Sequence, residues 1–261
     1  MADGSSERPS VLDLFRLDGR VAVVTGASGG LGAGFAVALA EAGADVVLAA
    51  RRPEALAGVG RQVRSMGRRV VEVVADVTDP AACDEVARRA MADLGRLDVL
   101  INNAGISYVA PALRDSAESF RSTLDVNLTA AYSMSIACAR VMDRGSSIVN
   151  VSSVLGLVKS RLPQTAYAAS KAAMIGLTRD LAHQWSERRG IRVNAMAPGF
   201  VATDMTSEMD DTMLARFLDT ASIPRLGTQR EMDAAMLFLA SPASSYVTGS
   251  TIAVDGGMSG H

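Results

Sequence analysis

Cysteine and histidine are nearly absent from this chain. Two of each occur among 261 residues: Cys83, Cys138, His183 and His261. Two thiols are too few for the disulfide framework of a small secreted protein or for a cysteine-rich zinc site, and they read as buried groups in a reducing compartment. Two histidines leave few ligands for zinc, and Asp210 and Asp211 read as a solvated helix start, so no metal site is expected. Lysine is equally scarce: of 26 basic residues only Lys159 and Lys171 are lysine, the rest being arginine. The arginines are scattered and offset by 28 acids to a net charge of −2. That pattern gives no basic stripe for a nucleic acid. One run, Val21 to Ala40, lacks charge for long enough to cross a bilayer, but glycines 26, 29, 30, 32 and 34 interrupt it. It reads as a strand, a turn and a helix rather than a membrane span. Met1 to Ser10 shows neither the basic start nor the apolar stretch of a signal peptide, so a cytoplasmic protein is expected.

What the chain does have is 49% hydrophobic residues in a regular alternation. A chain of this length can bury roughly 70–75% of the surface that it exposes when unfolded. Apolar β-rich runs at 21–25, 46–49, 70–75, 99–101, 147–151, 191–195 and 251–254 are mostly followed by stretches of helical spacing. Near-continuous Val, Ile and Leu in such runs predict strands covered on both faces, hence an α/β fold: a seven-stranded parallel sheet flanked by helices, Rossmann-like and doubly wound. Residues 1–17 read as an N-terminal extension, with Val11 to Leu17 docking on the body, and 18–261 as one domain. Within it, Met205, Met209 and Met213 fall at helical spacing with Leu214, Phe217 and Leu218, in a segment at about 202–225. That segment reads equally well as a packed amphipathic helix or as a small lid over an apolar substrate.

The first strand runs into Thr25, Gly26, Ala27, Ser28, Gly29, Gly30, Leu31 and Gly32 at the start of a helix. A glycine-rich turn there lets backbone N–H groups and the positive end of the helix dipole approach a pyrophosphate. The same turn spells G-x-S-x-G through Ser28, the pattern of a hydrolase nucleophile elbow. Neither His183, inside a predicted helix, nor His261 at the last position suits the base that such a serine needs. The end of the second strand reads Ala49, Ala50, Arg51, Arg52. With no acid there to hold a ribose 2′-hydroxyl, and two guanidiniums able to grip a 2′-phosphate, NADP is favoured over NAD. The competing reading is that the arginines cap the following helix.

Tyr167 and Lys171 lie four apart in a predicted helix over 166–187 and so share one face. Ser153 precedes Tyr167 by 14 residues, just past a buried strand, where side chains face the ligand crevice of such folds.

Taken in chain order, these residues resemble the short-chain dehydrogenase/reductase family, in its single-domain branch and near the ketoreductases that act as 3-oxoacyl-ACP reductases. The resemblance runs from Asp18 to His261 through T-G-x-x-x-G-x-G at 25–32, Asp76-Val77, Asn102 to Gly105, Asn127, Ser153, Tyr167-x-x-x-Lys171, Pro198-Gly199 with Thr203, and Asp255 to Gly257. One extra residue separates Ser153 from Tyr167 relative to the family's commonest spacing, which leaves Ser152 as a rival for the serine role. No basic residue occupies the glycine turn, so NADP preference rests on Arg51 and Arg52.

The resemblance implies a catalytic set of Asn127, Ser153, Tyr167 and Lys171 in an NADP(H)-dependent ketoreductase or alcohol dehydrogenase. Tyr167 would be the general acid or base, with its pKa lowered by Lys171 and the oxidised nicotinamide. Ser153 would hold the substrate oxygen, and Asn127 would hold a water that links Lys171 to solvent or satisfy a helix kink as a buried amide. For the cofactor, it implies Gly26, Ser28, Gly30, Leu31 and Gly32 at the pyrophosphate, and Asp76 with Val77 at the adenine. Asn103, Ala104 and Gly105 would line the adenosine ribose, with Lys171 and Tyr167 at the nicotinamide ribose. Pro198, Gly199, Val201 and Thr203 would meet the carboxamide. The alternatives are an NAD-dependent dehydrogenase of the same fold and a non-catalytic nucleotide-binding scaffold. Leu155, Leu157, Val158, Leu162 and the methionines predict a mostly apolar substrate pocket. A homotetramer is the implied assembly, packed through the helices around 116–144 and 166–189 and through the C-terminal segment.

Overall fold

The computed structural model describes residues 10–202 and 218–260. Thr203, Asp210, Asp211, the methionine segment up to Phe217, and His261 lie outside the described residues. The strands are β1 (Val21–Thr25), β2 (Asp45–Ala50), β3 (Val70–Val74), β4 (Val99–Asn102), β5 (Ser147–Val151), β6 (Arg192–Pro198) and β7 (Thr251–Val254). Between them lie α1 (Gly30–Glu41), α2 (Pro53–Ser65), α3 (Pro80–Arg89), α4 (Ala117–Leu124), α5 (Ala130–Val141), α6 (Thr165–Arg189) and α7 (Gln229–Ala240).

The strands form one seven-stranded sheet in the order β3-β2-β1-β4-β5-β6-β7, every pairing parallel. The sequence signal for this is the burial of β1, β4 and β5 along their whole length. Each has helices on both faces, and two apolar layers result, one around Phe35 and Leu39 of α1 and the other around Met134 and Cys138 of α5. Coverage is not uniform. At the sheet edges Val74 of β3 is 61% exposed, and β7 is nowhere fully buried. The N-terminal segment docks only in part. Leu17 is buried and Phe15 stacks on Phe238 with ring centroids 6.3 Å apart, whereas Val11 and Leu12 face outward.

β1 and β4 are neighbours although α1, β2, α2, β3 and α3 separate them in sequence, so chain connections leave β1 in opposite directions along the sheet. A crevice opens at the carboxyl ends of strands around such a switch point. Thr25 ends β1 there, and its hydroxyl accepts from the N–H groups of Asn103 (3.0 Å) and Ala104 (3.1 Å) just after β4. The ends of β4 and β5 are tied by Asn102 donating to Asn150 Oδ1 (2.9 Å), and Asn150 in turn donates to Thr178 of α6 (2.9 Å). Cys83 and Cys138 are free and buried.

Candidate active site

A cleft of about 660 Å³ runs across this edge. One end is the glycine turn. Gly26 adopts a φ of +64°, and a Cβ there would stand 2.9 Å from the Ala104 Cα, so both the backbone angle and the close approach of β4 require glycine. Gly32 sits beneath the turn, where a Cβ would run into the Gly26 carbonyl and Asn103, whereas Gly30 faces open space. No side chain caps α1, whose N-cap is Gly29, and no acid occupies its first turn. Its leading N–H groups and dipole are thus left to an anion from outside the chain.

Arg52 reaches back over this turn. Its Nη2 donates to Ser28 Oγ (3.2 Å) and to the Ser28 carbonyl (3.3 Å). The backbone of Arg52 forms the N-cap of α2, but its side chain makes no cap bond. The helix-capping alternative therefore fails for that side chain. Ser28 is engaged by a guanidinium and His183 is exposed, so among the described residues the nucleophile-elbow reading of Ser28 lacks a base. Arg51, Asp76 and Val77 line the same end of the cleft. The backbone N–H and the hydroxyl of Thr78 hold the Asp76 carboxyl below its usual range against modest burial, with the charge of Arg51 adding to the effect. Ala104 and Gly105 form the floor with Asn103, and Pro198, Gly199 and Val201 the far wall.

At the other end stand Ser153 and Tyr167, the Ser153 side chain near enough to lower the Tyr167 phenol. Ser153 begins the turn after β5, where its Oγ also accepts from Leu155 N–H (3.2 Å). Ser152 is turned away from this partnership, its hydroxyl donating to the Lys171 carbonyl at 2.7 Å. Lys171 is 4% exposed; its Nζ donates to the Val151 carbonyl (2.8 Å) and lies 5.6 Å from the centre of the Tyr167 ring. Burial pushes the Lys171 ammonium down to about 8. Burial likewise raises the Tyr167 phenol, and the Ser153 hydrogen bond offsets only part of this. The lowered tyrosine pKa expected from the sequence is thus not a property of the free site, where desolvation outweighs the Ser153 hydrogen bond.

Asn127 lies in a single π-helical stretch, Asp125–Thr129, that joins α4 to α5. Its Oδ1 accepts from Ile106 N–H (2.7 Å), and its Nδ2 donates to the Ile106 carbonyl (2.9 Å) and to Ser170 Oγ (3.0 Å). The side chain is therefore a buried amide whose bonds go to other elements, not to its own helix, and it clamps the segment after β4 beside Gly105. A Cβ at Gly105 would stand 3.3 Å from Asn127 Oδ1 and 3.6 Å from Lys171 Nζ.

Several contributors escaped the sequence reading. The Val151 carbonyl acts through backbone and Ser170 through its hydroxyl, and neither carries a motif. Gly156 lets the turn after Ser153 lie directly on α6, since a Cβ there would come within 2.8 Å of the Lys171 backbone. Met258 packs with Val154 and Leu155 beneath Tyr167 and Phe200. Of the residues expected to line the pocket, Leu155 and Leu162 do so. Leu157 instead is 42% exposed, and Val158 packs into the Met258 cluster. Among the described residues no group of three or more His, Cys, Asp or Glu side chains could hold a metal, and no helix is long and apolar enough to cross a membrane.

Fold and cleft together define a Rossmann-like α/β oxidoreductase. A family model described as enoyl-(acyl carrier protein) reductase matches residues 26–259. The chain is 43% identical over 251 residues to galactitol 2-dehydrogenase (L-tagatose-forming) of Cereibacter sphaeroides, covering 94% of this chain and 96% of that one. It is 38% identical over 244 residues to a 3-oxoacyl-[acyl-carrier-protein] reductase of Vibrio harveyi, covering 93% and 98%. Among solved structures it resembles a 7α-hydroxysteroid dehydrogenase complexed with NADH and 7-oxo glycochenodeoxycholic acid (TM-score 0.89, 33% identity, 94% and 96% covered). It also resembles a blue fluorescent protein from a metagenomic library in complex with NADPH (TM-score 0.88, 34% identity, 93% and 99% covered). The chain belongs to the short-chain dehydrogenase/reductase family and is an NAD(P)-dependent oxidoreductase acting on alcohol and carbonyl groups.

Proposed function

We propose that the protein is an NADP(H)-dependent ketoreductase or secondary-alcohol dehydrogenase that works through Ser153, Tyr167 and Lys171, with Asn127 holding the neighbouring segment. The observation that carries this reading is the meeting of Ser153, Tyr167 and Lys171 at one end of a cleft whose other end has an uncapped helix and a guanidinium over a glycine turn. When bound, the nicotinamide supplies or accepts the hydride. Tyr167 donates its phenolic proton to the carbonyl oxygen in reduction and takes it back in oxidation, while Ser153 stabilises the charge that develops on the same oxygen. Lys171, held by Val151, keeps a positive charge under the Tyr167 ring and donates to the nicotinamide ribose. At the adenosine end Asp76 accepts from the adenine amino group beside Val77, and Asn103 to Gly105 line the ribose.

Preference for NADP rests on two features: Ala49 and Ala50 stand where an acid would meet a 2′-hydroxyl, and Arg52, with Arg51 beside it, offers donors to a phosphate. The relatives named above act on a polyol, an acyl thioester and a steroid, so the family does not by itself choose a substrate. A cytoplasmic homotetramer belongs to the same reading. On α5 Tyr132 is left 48% exposed, and light scattering should give about four subunits.

The test is NADPH oxidation with simple ketones by the wild type and by Tyr167→Phe. The substitution should lower kcat about 10³-fold while NADPH affinity stays within about tenfold. Undiminished turnover in Tyr167→Phe would overturn the mechanism.

A further inference from the structure

Helix α7 meets α1 through a polar contact that the chemistry above does not use. Gln229, the first residue of α7, donates from Nε2 to the Leu31 carbonyl at 3.3 Å and to Asp233 Oδ1 at 2.7 Å. A carbonyl and a carboxylate only accept, so the amide has one orientation that serves both. Asp233 is 6% exposed, and Arg230, which pairs with Glu41 at 2.6 Å, lies 3.7 Å from its second oxygen. The amide can reach α1 because residue 34 is glycine: a Cβ there would fall on the end of the Gln229 side chain.

The contact acts on the turn of α1 that heads the cleft. Leu31 is the second residue of the helix and lines the cleft. The peptide group between Leu31 and Gly32 is planar and trans, so its carbonyl and its N–H point opposite ways. The carbonyl takes the bond from Gln229. The Gly32 N–H lies ahead of the helical ladder, which opens with Ala33 N–H donating to the Gly29 carbonyl at 3.3 Å. A hydrogen bond at one end of a peptide group fixes its plane and polarises the other end. The residues just before Gln229 hold the opposite wall. Gly227 N–H donates to the Phe200 carbonyl at 2.9 Å, and the Gly227 carbonyl accepts from Ala202 N–H at 3.0 Å. Residues 227–229 therefore join the glycine turn to the wall formed by Pro198, Gly199 and Val201.

We propose that Gln229, oriented by Asp233 and admitted by Gly34, is a positioning residue for the dinucleotide: it holds the Leu31–Gly32 peptide group so that the Gly32 N–H meets the pyrophosphate. The inference rests on the oxidoreductase reading, with the pyrophosphate against the glycine turn, and extends it to a residue outside the cleft.

The experiment is a double-mutant cycle read by nucleotide fluorescence, with NADPH and NADH titrated into the full-length protein at one salt concentration. Gln229→Ala removes the donor. Gly34→Ala displaces the amide while placing a better helix former in α1, so it weakens binding without weakening the fold. Each variant should raise the Kd of NADPH about five- to tenfold, the loss of one hydrogen bond, and that of NADH by the same factor, because the two nucleotides share the pyrophosphate. The double variant should stay within about twofold of the larger single effect, since both changes break one contact. A purely structural role would lower the melting temperature of Gln229→Ala and leave both dissociation constants unmoved. Unchanged constants in Gly34→Ala, which carries the test alone should Gln229→Ala fail to fold, overturn the assignment of Gln229. Multiplied effects in the double variant, or a loss confined to one nucleotide, overturn it too. Failure of the wild type to bind either nucleotide overturns the oxidoreductase reading, and this inference with it.

Discussion

The ammonium of Lys171 donates to the carbonyl of Val151 at 2.8 Å, so the last residue of β5 holds the lysine in place under Tyr167. Ser152 closes the same corner from the other side by donating to the Lys171 carbonyl at 2.7 Å. A strand end and a helix are thereby locked in register, and the position of the cation follows from backbone geometry.

That cation should be visible in the pH dependence of cofactor binding. In the free protein burial lowers Lys171 to about 8, so its charge is lost as pH rises through that value. A bound ribose hydroxyl accepting from the ammonium favours the charged form. NADPH binding should therefore weaken above pH 8, approaching about tenfold per pH unit by linkage. Tyr167, raised by burial, stays neutral in this window. Titrations by nucleotide fluorescence between pH 7 and 9.5 should show the slope in the wild type and not in Lys171→Met; a flat wild-type profile would refute the contact.

The two adjacent serines should separate cleanly. Ser153→Ala removes the hydroxyl beside Tyr167 that would stabilise the substrate oxygen and should lower kcat by about 10²–10³ with little change in melting temperature. Ser152→Ala removes only the bond to the Lys171 backbone, costing about 1 kcal/mol of stability while kcat stays within a few-fold. Equal losses of kcat in the two variants would return Ser152 to the catalytic role.

Arg52 gives a test of cofactor choice. Arg52→Ala should raise the Kd of NADPH by about ten- to a hundredfold, the equivalent of one charge-assisted hydrogen-bonded group, and that of NADH by less than about threefold. The comparison needs one fixed salt concentration, because the guanidinium is exposed. Parallel weakening of both nucleotides would mean that Arg52 serves the glycine turn through Ser28 alone.

Stability should depend on Asp98 at the opposite end of β4. Burial alone would raise this carboxyl, but hydrogen bonds from Arg96, Arg20 and the Val21 N–H outweigh it and leave it below its ordinary value. A carboxyl lowered on folding contributes its full stability above its unfolded pKa of about 4 and loses it as pH falls through the lower native value. Asp98→Asn should cost about 1–2 kcal/mol at pH 7, since it weakens the hydrogen bonds of a buried acceptor to two partly exposed guanidiniums. Urea denaturation from pH 7 to 3 should show this part of the acid sensitivity in the wild type and not in the variant. Coincident urea midpoints at pH 7 would count against the triad.

The sequence by itself determined the fold class and the residues that meet in the cleft. Period and composition are local, so the buried runs at β1, β4 and β5, the glycine turn, and the Tyr167 to Lys171 spacing could be read directly. Edge position is not local: Val70 to Val74 reads like a central strand, and only the sheet order leaves it half exposed. The choice between Ser152 and Ser153 was likewise closed to sequence, because both follow the end of β5 and nothing in their order says which of them turns toward α6. The roles of Val151, Gly156 and Asn127 depend on how closely α6 and the segment after β4 approach the end of β5. Such approaches arise from packing between elements far apart in the chain, and only the tertiary structure decided them.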